Sequence, residues 1–161
     1  MSNAVSFKEQ VRELRLAYDI PTPVRPRAPI ERAELIAKLI IEEANELRDA
    51  IEARDLVGIL DALADLDVVV MQAWFDCGML PLQDAAALEV HRSNMSKLDE
   101  NGRPIINDGV IDPTRPVGKI LKGPNYRPPD LGPLLSAYFG TPLCRASQDA
   151  EAATEAPHDA G

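Results

Sequence analysis

Residues 39–74 read LIIEEANELRDAIEARDLVGILDALADLDVVVMQAW, and this stretch decides the fold. Its apolar residues recur at about every third or fourth position, the spacing that places them on one side of an α-helix. The stretch divides at a short turn, where Asp55 can cap a second helix. We therefore predict two long helices, about Ile30 to Ala53 and about Leu56 to Phe75, that pack as an antiparallel pair.

Both predicted helices carry acids among their apolar residues. Glu43 falls near the middle of the apolar face of the first helix, and Glu46 lies on one flank of it. Asp61 and Asp65 are one helical turn apart on the second helix, so their side chains share a narrow stripe. An antiparallel pairing would bring the two sets together as buried carboxylates.

Crowded, buried carboxylates repel each other and lose hydration, so they need a compensating cation. Few basic residues are near in sequence, and only Lys38 is close to the correct side. Carboxylate oxygens suit a hard divalent ion, Mg²⁺ or, as a substitute, Mn²⁺. We predict a site for such an ion between the two helices. The predicted ligands are Glu43, Glu46, Asp61 and Asp65. Alternatively, the acids are solvated or salt-bridged surface residues, as most Asp and Glu are.

The remainder of the chain is predicted to add short helices and a loop. We expect a short helix over residues 5–19 and a fourth helix over about residues 82–97. The Asn101-Gly102 pair predicts a small hairpin, followed by a proline-rich loop. Residues 141–161 have little apolar content and are expected to be disordered. The sequence therefore predicts one all-α domain over residues 1–140, a four-to-five-helix bundle.

Composition excludes several classes of partner. The formal net charge of -9 argues against a nucleic acid polymer or an anionic membrane, because both attract clustered Lys and Arg. Cys77 and Cys144 form neither a disulfide framework nor a metal-binding pattern. The sequence shows no secretion signal and no uncharged apolar run long enough to span a membrane. We expect a cytoplasmic protein.

Two acidic segments resemble a known superfamily. EEANEL (42–47) followed by DALADL (61–66) is similar to the motifs of the all-α nucleoside triphosphate pyrophosphohydrolases, which include MazG-like proteins. The segments EVHRSNMSKLDENGRPI (89–105) and GKILKGPNYRPPDL (118–131) resemble the phosphoribosyl-ATP-pyrophosphohydrolase-like branch. The resemblance covers about residues 7–131.

This resemblance implies metal ligands on both acidic motifs. Glu42, Glu43 and Glu46 match the first motif, and Asp65 matches the aspartate of the second. Many members carry Glu three residues before that aspartate, where this chain has Ala62. Asp61 is the available substitute, so the fourth ligand departs from the family pattern.

The resemblance also implies an activity, the hydrolysis of a nucleoside triphosphate between its α- and β-phosphates with Mg²⁺. Glu42 or Glu43 is the expected catalytic residue that orients or deprotonates the attacking water. Other residues are expected to bind the nucleotide substrate, through point charges, a carboxamide and an aromatic ring. They are Asn94, Lys97, Lys119, Lys122 and Tyr126.

Two further readings remain open at this point. One is the phosphoribosyl-ATP pyrophosphohydrolase reaction of histidine biosynthesis, and the other is a non-catalytic, dimeric helical interaction module. The helix over residues 56–75 is apolar nearly all round, so about four helices cannot enclose it. We expect Met71, Trp74 and Phe75 to be exposed in a monomer, and therefore predict a homodimer or a dimer of dimers.

Overall fold

A computed structural model describes residues 5–28 and 30–139, except for the side chains of Ile30 and Phe139. Within these residues the chain forms five α-helices and one short 3-10 helix, and it contains no β-strand. This confirms the predicted all-α fold, while the predicted tail, 141–161, lies outside the described residues. The helices are α1 (Phe7–Ala17), α2 (Ile30–Ala53), α3 (Leu56–Asp76), α4 (Gln83–Met95) and α5 (Gly132–Phe139).

Helices α2 and α3 form a helical hairpin, as the sequence predicts. They pack along each other and are joined by only Arg54 and Asp55. Arg54 ends α2 in the left-handed conformation, with φ of 56°. The carboxylate of Asp55 then accepts a hydrogen bond of 3.0 Å from the backbone N–H of Val57, which caps α3.

A glycine ends the last turn of α3. Gly78 has φ of 62°, and a Cβ at this position would collide with the backbone carbonyl of Arg25. The N–H of Arg27 donates to the carbonyl of Cys77 at 3.0 Å. The proline-rich connector between α1 and α2 is therefore held against the end of α3, where only glycine fits.

Helix α1 covers the C-terminal half of α3. Val11, Met71 and Phe75 form a buried apolar cluster, against which Leu80 of the 3-10 helix (Leu80–Leu82) packs. The prediction that Met71 and Phe75 would be exposed in a single chain was therefore wrong. Trp74 is half-buried. The short helix α1 closes this part of the core.

A buried ion-pair network ties α1 to the same end of α3. Arg15 is 1% exposed and Asp76 is 2% exposed, and they pair at 2.7 Å between Nη2 and Oδ1. Arg32 of α2 donates from Nε to the other carboxylate oxygen of Asp76 at 3.2 Å. The Arg15 guanidinium also lies 5.3 Å from the ring centroid of Phe75. Because both carboxylate oxygens are bonded, the buried charge of Asp76 is compensated.

The chain divides into two compact units between Gln83 and Asp84. The second unit contains α4, α5 and the intervening residues 96–131. The predicted turn at Asn101-Gly102 is present, with the N–H of Gly102 donating to the carbonyl of Asp99 at 3.0 Å. No hairpin strands follow it in the described residues, and the only ladder-type pairing there is a single bridge between Ile106 and Ile120.

Helix α5 was not predicted. It begins at Gly132, directly followed by Pro133, which is a favourable residue in the first turn of a helix because the missing N–H has no helical partner there. None of the helices in the described ranges is long and apolar enough to cross a membrane.

Candidate functional site

The α2–α3 hairpin positions the predicted acidic residues. On α2, Glu43 is half-buried, as are Ile40 and Leu47 one turn before and after it. These three residues lie on one side of α2 because they are three to four positions apart. Glu43 therefore lies on the partly covered side of α2, which agrees with its predicted place on the apolar face.

The structure brings four of the predicted acids into electrostatic range of the fifth, Glu43. Burial is the largest cause that raises the pKa of the Glu43 carboxyl above its ordinary value. The negative charges that raise it further belong, in decreasing order, to Glu46, Asp65, Glu42 and Asp61. Every charge that perturbs the Glu43 pKa is negative, so the hairpin concentrates negative potential at this point.

The other four acids are exposed, and in this respect the prediction of two buried acidic stripes was wrong. Asp61 and Asp65 are both exposed on α3, and so are Glu42 and Glu46 on α2. The neighbouring face of α3 is also uncovered in the single chain, with Leu60 being 70% exposed. We define these five residues, Glu42, Glu43, Glu46, Asp61 and Asp65, as the acidic cluster.

In the part of the chain that the structure describes, no basic side chain pairs with the acidic cluster. Lys38 pairs with Glu34 at 2.7 Å instead, and Arg48 bonds Asn45 and Asp49 on its own helix. Within the described ranges, no three His, Cys, Asp or Glu side chains are gathered closely enough to hold a metal ion. The charges of these acids therefore act on Glu43, but their side chains do not form a group close enough to bind a metal ion in this conformation.

Positions 61 and 62, where this chain departs from the pattern of the resemblance, differ in their exposure. Ala62 is only 3% exposed, whereas Asp61 is exposed and its charge acts on Glu43. In this chain a carboxylate at position 61 therefore reaches the acidic cluster, while the side chain at position 62 packs in the interior. That Asp61 replaces the usual glutamate as a ligand stays a prediction.

The predicted substrate-binding residues fall in the second unit. Asn94 of α4 accepts a hydrogen bond from Lys97, with 2.7 Å between Oδ1 and Nζ. The backbone N–H of Gly123 donates to the carbonyl of Lys97 at 2.9 Å, so the segment with Lys122 lies beside the end of α4. A Cβ at Gly123 would lie 2.5 Å from the carbonyl oxygen of Leu98, which explains why glycine is needed there.

Lys122 and Tyr126 form a pair of their own. The Lys122 ammonium lies 4.4 Å from the ring centroid of Tyr126, a cation–π contact that fixes its direction. Lys119 is exposed, and its backbone carbonyl accepts from the N–H of Asn107 at 2.8 Å. The structure thus pairs Asn94 with Lys97 and Lys122 with Tyr126 on adjoining segments, and it places Lys119 on the same loop as Lys122.

Sequence reasoning missed Asn107, which organises the loop that carries these residues. Asn107 is completely buried, and its Nδ2 donates to the carbonyls of Asp112, Arg115 and Pro116 at 2.9, 2.8 and 3.2 Å. Its Oδ1 accepts from the N–H groups of Gly109 and Asp112. The Asn-Asp-Gly sequence was a turn signal, but no local pattern indicated five side-chain bonds from one residue.

Comparison with known proteins identifies the family. The model of the family described as phosphoribosyl-ATP pyrophosphohydrolase matches residues 9–94, more than half of the chain. The match includes the whole acidic cluster and Asn94, and it ends before Lys97. No curated protein matches the chain.

Members of this family are pyrophosphohydrolases, hydrolases that act on phosphoric anhydrides, and they typically use a divalent metal ion. The match confirms the prediction of an enzyme and weighs against a non-catalytic interaction module. It also agrees with the four carboxylates of the α2–α3 hairpin whose charges act on Glu43. The chain belongs to the phosphoribosyl-ATP pyrophosphohydrolase family, within the MazG-like pyrophosphohydrolase superfamily.

Proposed function

We propose that the chain is a Mg²⁺-dependent nucleotide pyrophosphohydrolase that cleaves an NTP or dNTP to the monophosphate and pyrophosphate. The observation that carries this proposal is the acidic cluster, in which four negative charges and burial together raise the pKa of Glu43. Such concentrated negative potential is costly unless a cation relieves it. A metal ion that bridges to phosphate oxygens would also explain how an acidic site accepts an acidic substrate.

The donor chemistry of the cluster fits Mg²⁺, and Mn²⁺ as a substitute, because all the available ligand atoms are carboxylate oxygens. The residues that would hold the ion are Glu43, Glu46, Asp61 and Asp65. Three of these side chains are exposed, so they can change rotamer without disturbing the core. The ion would supply charge neutralisation for the phosphates and a more acidic water.

Glu43 or Glu42 would accept the proton of the attacking water. A carboxyl with a raised pKa is a better base near neutral pH than an ordinary carboxylate, and Glu43 has such an environment. Glu42 is exposed beside it and contributes to the same potential. We assign this role to the pair, with Glu43 favoured by its perturbed pKa.

The phosphates and base of the substrate would be contacted by Asn94, Lys97, Lys119, Lys122 and Tyr126. Lys97 and Lys122 are brought close together by the Gly123–Lys97 backbone bond. Flexible ammonium groups can follow phosphate oxygens during the reaction, and the Asn94 carboxamide that now accepts from Lys97 could be released to the substrate. The contacts within the second unit support this assignment.

The family description also favours a second substrate, phosphoribosyl-ATP. Both reactions break the same type of anhydride bond, so the acidic cluster does not distinguish them. A panel of NTPs, dNTPs and phosphoribosyl-ATP, assayed for pyrophosphate release with and without Mg²⁺, tests the proposal directly. Hydrolysis of phosphoribosyl-ATP alone would overturn the NTP assignment, and release from no nucleotide would overturn the activity itself.

We further propose that the α2–α3 hairpin joins two copies of the chain into a homodimer, or a dimer of dimers. Its exposed apolar side chains include Leu56, Val57 and Leu60, at 80%, 78% and 70% exposure. A soluble monomer rarely leaves such a continuous row uncovered. Light scattering should give at least a dimer mass, and Leu60→Glu should shift it towards the monomer. A monomer mass at full activity would refute the proposal.

A further inference from the structure

Residues 96–131 connect α4 to α5 without regular secondary structure. Loops longer than about 12–15 residues are uncommon in compact domains and are usually functional or disordered. This loop is ordered by its own hydrogen bonds, chiefly those of the buried Asn107 side chain. All of it lies outside the matched residues 9–94, and the stretch that contains Arg115, 106–117, also lies outside the two segments that carry the resemblance.

The loop borders an open surface cleft of about 290 Å³, which we call the loop cleft. It is lined by Ile111, Asp112, Arg115, Leu121 and Lys122. Two of these residues are cations and one is an acid, so the lining carries a net positive charge in a chain of net charge -9. Two cations therefore share the lining with the apolar side chains of Ile111 and Leu121.

Both carboxylate oxygens of Asp112, the acid of the loop cleft, already have partners within the chain. One oxygen of Asp112 accepts from the N–H and the hydroxyl of Thr114 at 3.0 and 2.6 Å. The other oxygen pairs with Nε of Arg115 at 2.9 Å. Since this contact uses the side of the guanidinium at Nε, the terminal nitrogens of Arg115 are left for a ligand, and Asp112 orients them.

Lys122 is oriented in a comparable way. Its ammonium lies over the ring of Tyr126 at 4.4 Å, a contact that leaves its hydrogen-bond donors available. The N–H of Leu121 donates to the carbonyl of Ile105 at 2.8 Å, which anchors this wall of the cleft. A guanidinium oriented by Asp112 and a lysine on the lining of the same cleft are suited to a multiply charged oxyanion.

We propose that the loop cleft binds a phosphate group the size of pyrophosphate, with Arg115 and Lys122 as its cationic ligands. The volume lies just below the range of about 300–1,000 Å³ for small-molecule pockets, so the cleft suits the phosphate end of a ligand and not a whole nucleotide. Arg115 thereby gains a role that its sequence position does not suggest. For Lys122, already a proposed substrate contact, the inference rests on the proposed function, and for Arg115 it goes beyond it; binding at the loop cleft needs no metal ion and can be tested without one.

Titration of the full chain with inorganic pyrophosphate in EDTA, followed by calorimetry, tests this inference. Without a divalent ion the acidic cluster repels anions, so binding reports on the loop cleft even if the chain hydrolyses no nucleotide. We expect Arg115→Gln and Lys122→Gln each to weaken binding by at least about tenfold, through the loss of charge-assisted hydrogen bonds. Both side chains are exposed, so the variants should fold like the wild type.

Arg103→Gln is the matched control, since Arg103 is an exposed cation of the same unit outside the cleft lining. It should change the affinity by less than about twofold. Three results would each overturn the inference: no binding by the wild type at millimolar pyrophosphate, an unchanged affinity of Arg115→Gln, or an equal loss in Arg103→Gln.

Steady-state kinetics with Mg²⁺ and an accepted nucleotide then identify the source of the phosphate. A higher KM of Arg115→Gln at unchanged kcat assigns the loop cleft to the substrate or its pyrophosphate product. Unchanged kinetics, with the loss of pyrophosphate binding retained, assign it to a separate phosphorylated ligand. Both results support phosphate binding, and they differ only in where the phosphate comes from.

Discussion

The α2–α3 hairpin and the loop of residues 96–131 are ordered by opposite means. The hairpin follows from apolar spacing and helix caps, and its acidic cluster contains charges that only repel each other. The loop has little apolar packing, and the polar groups of Asn107 are all bonded. Helical packing is strong enough to carry a group of unfavourable charges, whereas an irregular loop holds its shape through satisfied polar groups.

The acidic and the basic side chains are also held in position differently in these two regions. The carboxylates lie on regular helices that fix their spacing, and the cations Arg115 and Lys122 lie on the loop, each oriented by a neighbouring side chain. Neutralising an acid of the hairpin should therefore raise its stability without metal, whereas removing a polar partner should destabilise the loop. Substitutions at Glu43, Asn107, Asp61 and Glu89 test this contrast.

The largest effect is expected at Glu43. Glu43→Gln and Asp65→Asn should each lower Mg²⁺-dependent turnover by at least about 100-fold, because they remove proposed metal ligands. Since the folded-state pKa of Glu43 is raised, its negative charge opposes folding above that pKa, so Glu43→Gln should raise the melting temperature without metal.

Glu52→Gln is the control, an exposed acid of α2 that does not act on Glu43. It should keep near-normal activity and stability. Near-normal turnover of Glu43→Gln would show that the acidic cluster is not the active site. A lower melting temperature without metal would contradict the repulsion among its carboxylates.

The next effect concerns the loop. Asn107→Asp keeps the acceptors of the side chain but removes the donors to three carbonyls, so it should cost about 2–4 kcal/mol of unfolding free energy. Denaturant unfolding measures this loss. Asn101→Asp, in an exposed turn, should change stability by no more than about 0.5 kcal/mol. Equal effects of the two substitutions would show that Asn107 does not organise the loop.

A smaller effect is expected at the position where this chain departs from the family pattern. Asp61→Ala should weaken Mn²⁺ binding at least about tenfold, to a similar degree as Asp65→Ala, if the two acids are ligands. Asp67→Ala provides the comparison, since Asp67 is an exposed acid of α3 that does not contribute to the Glu43 pKa. If Asp61→Ala bound Mn²⁺ with the affinity of the wild type, Asp61 would be a polar neighbour of the site and not a ligand.

The smallest effect is a pH dependence in the second unit. Hydrogen bonds from Arg92 and from the backbone N–H of Asp130 lower the pKa of Glu89 to about 2. A lowered folded-state pKa stabilises the fold above the unfolded value, 4.5, and this contribution is lost as the pH falls towards 2. Melting temperatures of Glu89→Gln should therefore fall less steeply over this range than those of the wild type. Glu100→Gln should leave the slope unchanged.

Much of the hairpin could be predicted from the sequence because its physics is local. Asp55 marks one helix start, Gly78 marks one helix end, and the spacing between them places Glu43 on the apolar side of its helix. The burial of the other acids was overestimated, because periodicity shows which residues share a face but not whether anything covers it. Leu60 and Asp61 both lie on uncovered parts of α3.

The loop and the core contacts of α1 could not be predicted, because they join residues far apart in sequence. The bond between Ser93 and the carbonyl of Arg127 spans 34 positions, and the pair of Arg15 and Asp76 spans 61. Only part of the cleft lining was visible from the resemblance, which drew attention to Lys122 but not to Arg115. A turn signal such as Asn101-Gly102 predicts a reversal of the chain, and prolines then prevent the strands of a hairpin.

The pairing of Arg15 with Asp76 has a consequence for the order of folding. The α2–α3 hairpin needs only a short loop closure, whereas α1 must return across 61 positions to reach its partner. We therefore expect the hairpin to form before α1 docks. Detachment of α1 would uncover Met71 and Phe75 together with a buried charge, so we expect an opening at this end that is separate from the unfolding of the hairpin.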